Sequence, residues 1–368
     1  MSDVSAIRQF LREHEAKPVG LSPSLPNLRR NEDEEDGSPK ATVDLTVEVA
    51  DAEKWVPLDV RDSDPARVGE FPVRFIDGSQ IGQPIFALSV RGCGWPIPLF
   101  LAEVGAVALH LNGRSFRRDF RAVERVLSFV AAPFPWAQVE AFAAELANHP
   151  AFRVRVLPAN MPDLTKYSPF DYEAMRNQAR ARVQEEMTNL ERLALAANPS
   201  EPTLVDGPLD RVMGQPDPKG PLVVGIPKIQ AASYLHDQGW RILLNLPRDS
   251  RTPVFKIAGE GRLTVASWYL KLAGGPRLAP NWGYVRVEVP WVQFVGRVDL
   301  AQKEFGFVNR LSRWLIDARC RTDSYARMPV SLEPIVRAED ALKPLFTPVP
   351  VLVNRLYRTA GLFRGNEL

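Results

Sequence analysis

Proline sets the first limit on this chain. Thirty-three of its 368 residues are proline, which lacks a backbone donor and interrupts helix interiors and central strands. That density excludes a long coiled coil and points to many short elements, each ended by a proline. The longest apolar stretch, Gly94 to Leu111, holds two prolines, Glu103 and His110, so no helical membrane span is expected. The first 17 residues lack the apolar segment of a signal peptide. Cys93 and Cys320 are too few for a disulfide framework or a zinc cage, and the expectation is a reduced, cytoplasmic protein. With 45% apolar and 24% charged residues, the chain can bury one large core or two smaller ones.

Charge narrows the chemistry less. The net charge is +2, which neither demands nor excludes nucleic acid. Arginine outnumbers lysine by 36 to 10. Arginine grips phosphate as a bidentate fork, so the bias suits a phosphate-rich partner, although coding bias alone would produce it. His14, His110, His149 and His236 show no metal-ligand spacing, which argues against histidine-built zinc chemistry.

Along the chain, residues 4–16 read as a short amphipathic helix bearing Ile7, Phe10 and Leu11, free to dock on its own domain or on a partner. Residues 18–39 carry four prolines and the run Glu32 to Asp36, the composition of a solvated linker. The division is therefore an N-terminal helix and acidic linker (1–40) and a globular domain (41–368). In that domain Thr42–Val49 alternates as a strand. Phe71–Ile76 and Pro84–Val90 read as two further strands separated by Asp77-Gly78. Residues 102–110 suit strand or buried helix, Arg121–Val130 and Trp136–Ala147 look helical, and Phe152–Leu157 alternates. The longest helical signal runs from about Asp171 to Ala197. Short strands follow at Thr203–Val205 and Pro221–Ile226, then strands at 252–258, 262–273 and 283–296. Helices at 303–320 and from Ala338 close a mixed α/β chain.

Two segments share one form: an apolar strand ending in Asp-Gly, at Phe75-Ile76-Asp77-Gly78 and Leu204-Val205-Asp206-Gly207. Each alone is a favoured hairpin turn. Together they place carboxylates at the ends of buried strands, where unpaired charge is costly. Side by side, such carboxylates call for a divalent cation, and oxygen-only ligands suit Mg2+ or Mn2+. The helix before Asp206 offers a third acid. At 100° per residue, Val183, Met187, Leu190 and Ala194 form its inward stripe. Glu185 points away, while Glu186 and Glu191 sit on opposite flanks; Glu186 is taken as the ligand, with Glu191 as the alternative. Arginines and aromatics interleave over Gly113–Arg121, so Arg114, Arg117 and Arg118 could track a nucleic-acid backbone, or merely start a solvated helix. Lys228, just past the strand 222–226, could hold a phosphate.

The order of FIDGSQ (75–80), LVDGPL (204–209), LVVGIPKIQ (222–230), VASWYLKL (265–272), VRVEVPW (285–291) and SLEPIVRAEDA (331–341) resembles the NurA family of nucleases over roughly residues 73–345. The resemblance implies an RNase H-like mixed sheet flanked by helices, with additional β elements, binding two Mn2+ or Mg2+ ions. Carried over by position, Asp77, Asp206 and Glu186 are metal ligands. Ser331 stands where the family shows tyrosine, and Glu339, or neighbouring Asp340, where it shows histidine. Lys228 and the arginines then neutralise phosphate charge. The implied activity is metal-dependent DNA hydrolysis (5'-3' exonuclease and single-strand endonuclease) by a two-metal mechanism. Its implied setting is a homodimer partnered with a HerA-type hexameric translocase in end resection, recombinational repair or phage defence. The substitutions at Ser331 and Glu339 leave a second reading, a weak or inactive docking subunit of the translocase. A third treats both Asp-Gly pairs as turns in an α/β binding protein.

Overall fold

A computed structural model of the chain describes residues 5–18, 41–64, 69–91, 96–161, 172–227, 234–273, 283–321 and 331–361. In chain order its elements are α1 (Ala6–Glu13), β1 (Lys17–Pro18), β2 (Thr42–Asp44), β3 (Leu58–Asp59), β4 (Arg74–Leu88), β5 (Ile97–Asn112), β6 (Ser115–Val130), α2 (Trp136–Asn148), β7 (Arg155–Ala159), α3 (Tyr172–Ala197), β8 (Thr203–Val205), α4 (Leu209–Val212) and β9 (Val223–Gly225). There follow α5 (Asp237–Leu244), β10 (Ser250–Arg251), β11 (Phe255–Ala258), β12 (Val265–Lys271), β13 (Tyr284–Pro290), α6 (Trp291–Val295), α7 (Gly306–Asp317), α8 (Glu333–Leu342) and α9 (Val349–Thr359). Among the described residues no helix is long and apolar enough to cross a membrane.

The strands join in one mixed sheet whose main path is β2-β11-β12-β13-β9-β8-β4-β5-β6-β7. β8 runs parallel to both β4 and β9, and β6 to β7. Antiparallel pairing makes the remaining ladders. Helices cover both faces. On one, Ala179, Val183, Met187 and Leu190 of α3 bury against Ala102, Val104, Ala106 and Val126. On the other, Ala338 and Leu342 of α8 lie on Val107 and Leu109. A core at one end of the long strands gathers α1, α2 and α9 around Phe86, Leu99 and Phe129. Another, under α7, is built on Trp268, Val285 and Val287.

Three expectations fail here, the first two for a physical reason. The prolines do not enforce short elements in the centre, because β4, β5 and β6 span 15, 16 and 16 residues. Pro84 is accommodated where the β4–β5 register slips between Pro84 and Phe86, the kind of irregularity that tolerates a missing donor. Arg121–Val130 is strand, not helix. Its run of buried residues from Val126 to Val130 has no alternation to read, and pairing with β5 decides the outcome. Thr42–Val49 keeps strand form only over Thr42–Asp44.

The N-terminal helix docks on its own chain. Ile7, Phe10 and Leu11 are buried, Phe10 stacks on Phe142 with ring centroids 4.5 Å apart, and Glu145 accepts from the Ile7 amide at 2.9 Å. Each side chain so buried contributes about 1.5–3 kcal/mol. The acidic linker lies outside the described residues, apart from Pro18.

Candidate functional site

Asp77 does not sit in a turn. β4 continues through Asp77-Gly78 without a break, and β5 pairs with it residue by residue across this stretch. β8, by contrast, ends at Val205. The parallel register matches Ile76 to Val205, and the Asp206 amide donates to the Ile76 carbonyl at 3.0 Å. The two aspartates therefore emerge one step beyond that pair, on adjacent strands whose backbones lie about 4.8 Å apart. Asp77 is 5% exposed. It stands opposite Val107 in the ladder, so its side chain leaves the sheet on the face covered by α8.

Gly78 points the other way, toward α3. A Cβ built there would lie 2.5 Å from Oε1 of Glu191, so the missing side chain makes room for that carboxyl. The Gly78 N–H donates to Glu191. Burial, then the nearby charge of Asp206, pushes the Glu191 carboxyl up to about 7, while Arg211 opposes the shift. Glu186, on the other flank of α3, is buried as well but is ion-paired with Arg155 and accepts weakly from Asn189 at 3.3 Å. Arg155 belongs to β7, at the far edge of the sheet. The structure thus brings Glu191, and not Glu186, beside Asp206. Helical spacing had placed the two glutamates on opposite flanks. What it left open was which flank faces β8, and that depends on strand order beneath the helix.

Glu339 lies on α8, 4% exposed, with the Lys343 ammonium 3.3 Å from its Oε1. Asp340 is exposed on the same helix, with Lys343 at 4.0 Å. Glu339 shares with Asp77 the side of the sheet that α8 covers. Ser331 is 6% exposed just before α8. Lys228 lies outside the described residues.

The arginine-rich segment is strand rather than helix start. Gly113 and Arg114 form the two-residue loop of the β5–β6 hairpin, with Gly113 at φ +61° supplying the turn's left-handed position. Arg114, Arg117 and Arg118 are exposed. Their aromatic neighbours are no stacking platform, since Phe116 and Phe120 pack against the cores. A register slip leaves Asp119 without an opposite number, and it pairs with the buried Arg74. Beyond the slip, exposed Arg121 stands opposite Val107, itself opposite Asp77. Arg121 and Asp77 thus share one row and one face.

The donor set is oxygen throughout, and the proton affinity of Glu191 reflects a carboxyl that is buried first and, second, held near another negative charge. Both suit a hard divalent cation. Glu191 approaches from the α3 side, Asp77 faces the α8 side, and Asp206 stands at the strand end next to both. Among the described residues, no three acids, histidines or cysteines are yet drawn into one cluster able to hold an ion. Two clefts open elsewhere. One of about 340 Å³ lies between Glu70, Arg297 and Arg310, at the other end of β8 and β9. A second of about 470 Å³ lies under Arg125, Arg153 and Arg155.

No known family model matches the chain, and no curated protein matches it by sequence. Among solved structures, the crystal structure of the NurA nuclease from Sulfolobus solfataricus aligns with 80% of this chain and 84% of that one. The identity is 13% and the TM-score 0.35, a likeness too loose to carry an argument.

Proposed function

We infer that the chain is a metal-dependent nuclease that hydrolyses DNA phosphodiester bonds at the ends of β8 and β9, on a sheet of RNase H-like type. The observation that carries this reading is the parallel β4–β8 pairing. It sets Asp206 beside Asp77, 129 positions away in the chain, with the Glu191 carboxyl in electrostatic reach of Asp206. Asp77, Asp206 and Glu191 are the residues that would hold Mn2+ or Mg2+, with Glu339 approaching on Asp77's side. Bound there, the cation supplies Lewis-acid activation of the scissile phosphate and of the attacking water.

The remaining roles belong to side chains. Arg118 and Arg121, exposed on the face that Asp77 uses, hold the DNA backbone beside the acids by charge and hydrogen bonding. Arg114 and Arg117 extend that basic edge, and Lys228, three positions past β9 in the sequence, neutralises a phosphate. The use of two ions, the 5'-3' polarity, the homodimer, the HerA-type translocase and the task in resection or phage defence rest on the motif resemblance alone.

The test is degradation of linear DNA by the purified chain with Mn2+, with and without a HerA-type ATPase. Asp77→Asn and Asp206→Asn should each abolish it. DNA left intact under both conditions would instead favour the docking reading, provided the chain co-migrates with the ATPase.

A further inference from the structure

The turn that carries Asp206 is held from a distance. After Val205 the chain leaves the sheet, Gly207 takes φ +143°, and Pro208 leads into the four-residue α4. Two backbone bonds fix the start of this turn: Asp206 N–H to Ile76 and Gly207 N–H to Val205, at 3.0 and 3.1 Å. Its far end is fixed by a side chain from another part of the sheet. The Leu209 N–H donates to Oε2 of Glu288 on β13 at 2.9 Å.

The register shows why Glu288 can reach. Ile76, Val205, Gly225 and Glu288 form one row across β4, β8, β9 and β13. Between Val205 and Glu288, Gly225 leaves a gap in that row. A Cβ there would meet Cγ of Leu209 at 2.7 Å and the Gly207 carbonyl at 2.8 Å. The turn lies down over this bare glycine, and the Glu288 carboxylate rises beside it. Glu288 is 4% exposed, and burial pushes its carboxyl up against the pull of Arg286, which lies 2.8 Å away and is itself 5% exposed. Among the described residues Nε and Nη1 of Arg286 have no hydrogen-bond partner, and its guanidinium lies over the Tyr234 ring at 4.7 Å. A buried ion pair with unfilled donors is a weak source of stability, because desolvation offsets the attraction. Its contribution must be sought in what it holds.

We propose that Glu288, oriented by Arg286, is a positioning residue for Asp206: through the Leu209 amide it fixes the turn over Gly225 and so aims the Asp206 carboxylate at the cation site. This rests on the metal-dependent reading above. Outer residues of this kind typically change metal affinity 10–100-fold when removed.

Single substitutions leave a buried charge uncompensated and can unfold the chain, so the test uses two double variants that remove both charges. Arg286→Met with Glu288→Gln keeps an oxygen acceptor for Leu209. Arg286→Met with Glu288→Leu removes it. Free Mn2+ is titrated by electron paramagnetic resonance against each variant and the unaltered chain, with circular dichroism melts as the check on folding. The proposal expects the Gln form to bind Mn2+ within about twofold of the unaltered chain and the Leu form about tenfold more weakly, with DNA cleavage by the Leu form recovering at high Mn2+. Equal Mn2+ affinity in two folded variants overturns it. If the unaltered chain binds no Mn2+, the metal-dependent reading itself falls, and the positioning role with it. If the Leu form does not fold, hydrogen exchange at Leu209 in the unaltered chain decides. Strong protection supports the anchor, and exchange at the unprotected rate refutes it.

Discussion

Replacing Glu191 by glutamine tests the site without any assumption about turnover. In the folded chain, burial and the Asp206 charge push this carboxyl up to about 7, against an ordinary 4.5. The unfolded chain releases the proton near 4.5, so between these values the folded form holds a proton that the unfolded form lacks. Stability therefore falls as pH rises through that window. Below 4.5 both forms are protonated and the contribution vanishes. Above 7 the folded state carries the whole penalty, about 3 kcal/mol at 1.36 kcal/mol per pH unit. A glutamine at this position bears no charge, and its amide oxygen can still accept from Gly78. With metal chelated, Glu191→Gln should therefore raise the unfolding free energy at pH 8 by up to about 3 kcal/mol, and the gain should shrink to almost nothing at pH 4. Added Mn2+ should reverse the ranking, stabilising the unaltered chain and not the variant. Urea melts at several pH values with chelator or Mn2+ measure all of this. Glu186→Gln is the control. It removes one of the two carboxylate partners of Arg155, Glu124 being the other, so it should lower stability modestly at pH 8 and leave the Mn2+ response intact. If Glu191→Gln and the unaltered chain melt together at pH 8 without metal, the charge conflict at Asp206 does not exist.

Other outcomes follow from the same geometry. Gly78→Ala should push the Glu191 carboxyl aside, since the new Cβ would fall 2.5 Å from it, and cleavage should drop more than tenfold for a stability loss of about 1–3 kcal/mol. Phe10→Ala removes a ring stacked on Phe142 and should cost about 3–5 kcal/mol in a melt, with Mn2+ affinity unchanged in the folded protein. Arg118→Ala with Arg121→Ala should weaken DNA binding and flatten its salt dependence, the slope in log salt falling by roughly one to two. Because both arginines are exposed, the melting temperature should hardly move.

Local pattern was legible where one face is buried and one wet. The helix around Val183 is of this kind, whereas the strand Thr203–Val205, buried throughout, was found residue for residue from its short apolar run ending in Asp-Gly. Pattern failed in β6, whose buried run is longer. Arg121–Val130 offered no alternation, and the Asp77-Gly78 pair looked like a turn because its real reason is three-dimensional: Gly78 clears space for a glutamate 113 positions later. The juxtaposition of Asp77 with Asp206 was inferred from the cost of burying two strand-end carboxylates, and the parallel register delivers it. Choosing Glu186 over Glu191 required knowing which strand lies under which flank of α3, which spacing does not encode. Glu288 was invisible for the same reason. Within VRVEVPW it is one more polar residue on an alternating strand, and only the neighbouring Gly225 reveals that its carboxylate reaches a backbone amide.

The meander β4-β5-β6 and the β4–β8 pair differ in what the folding chain must do to make them. The first is two consecutive hairpins that can zip from their loops, each rung forming beside one already made. The second joins positions 74–76 to 203–205 across a loop containing both hairpins, α2 and α3, and three rungs offset little of so large a loss of freedom. The meander can therefore organise early as a platform with Asp77 already in place, while Asp206 arrives only when that long loop closes. The meeting of the two aspartates becomes a late property of the chain, acquired after most of its shape.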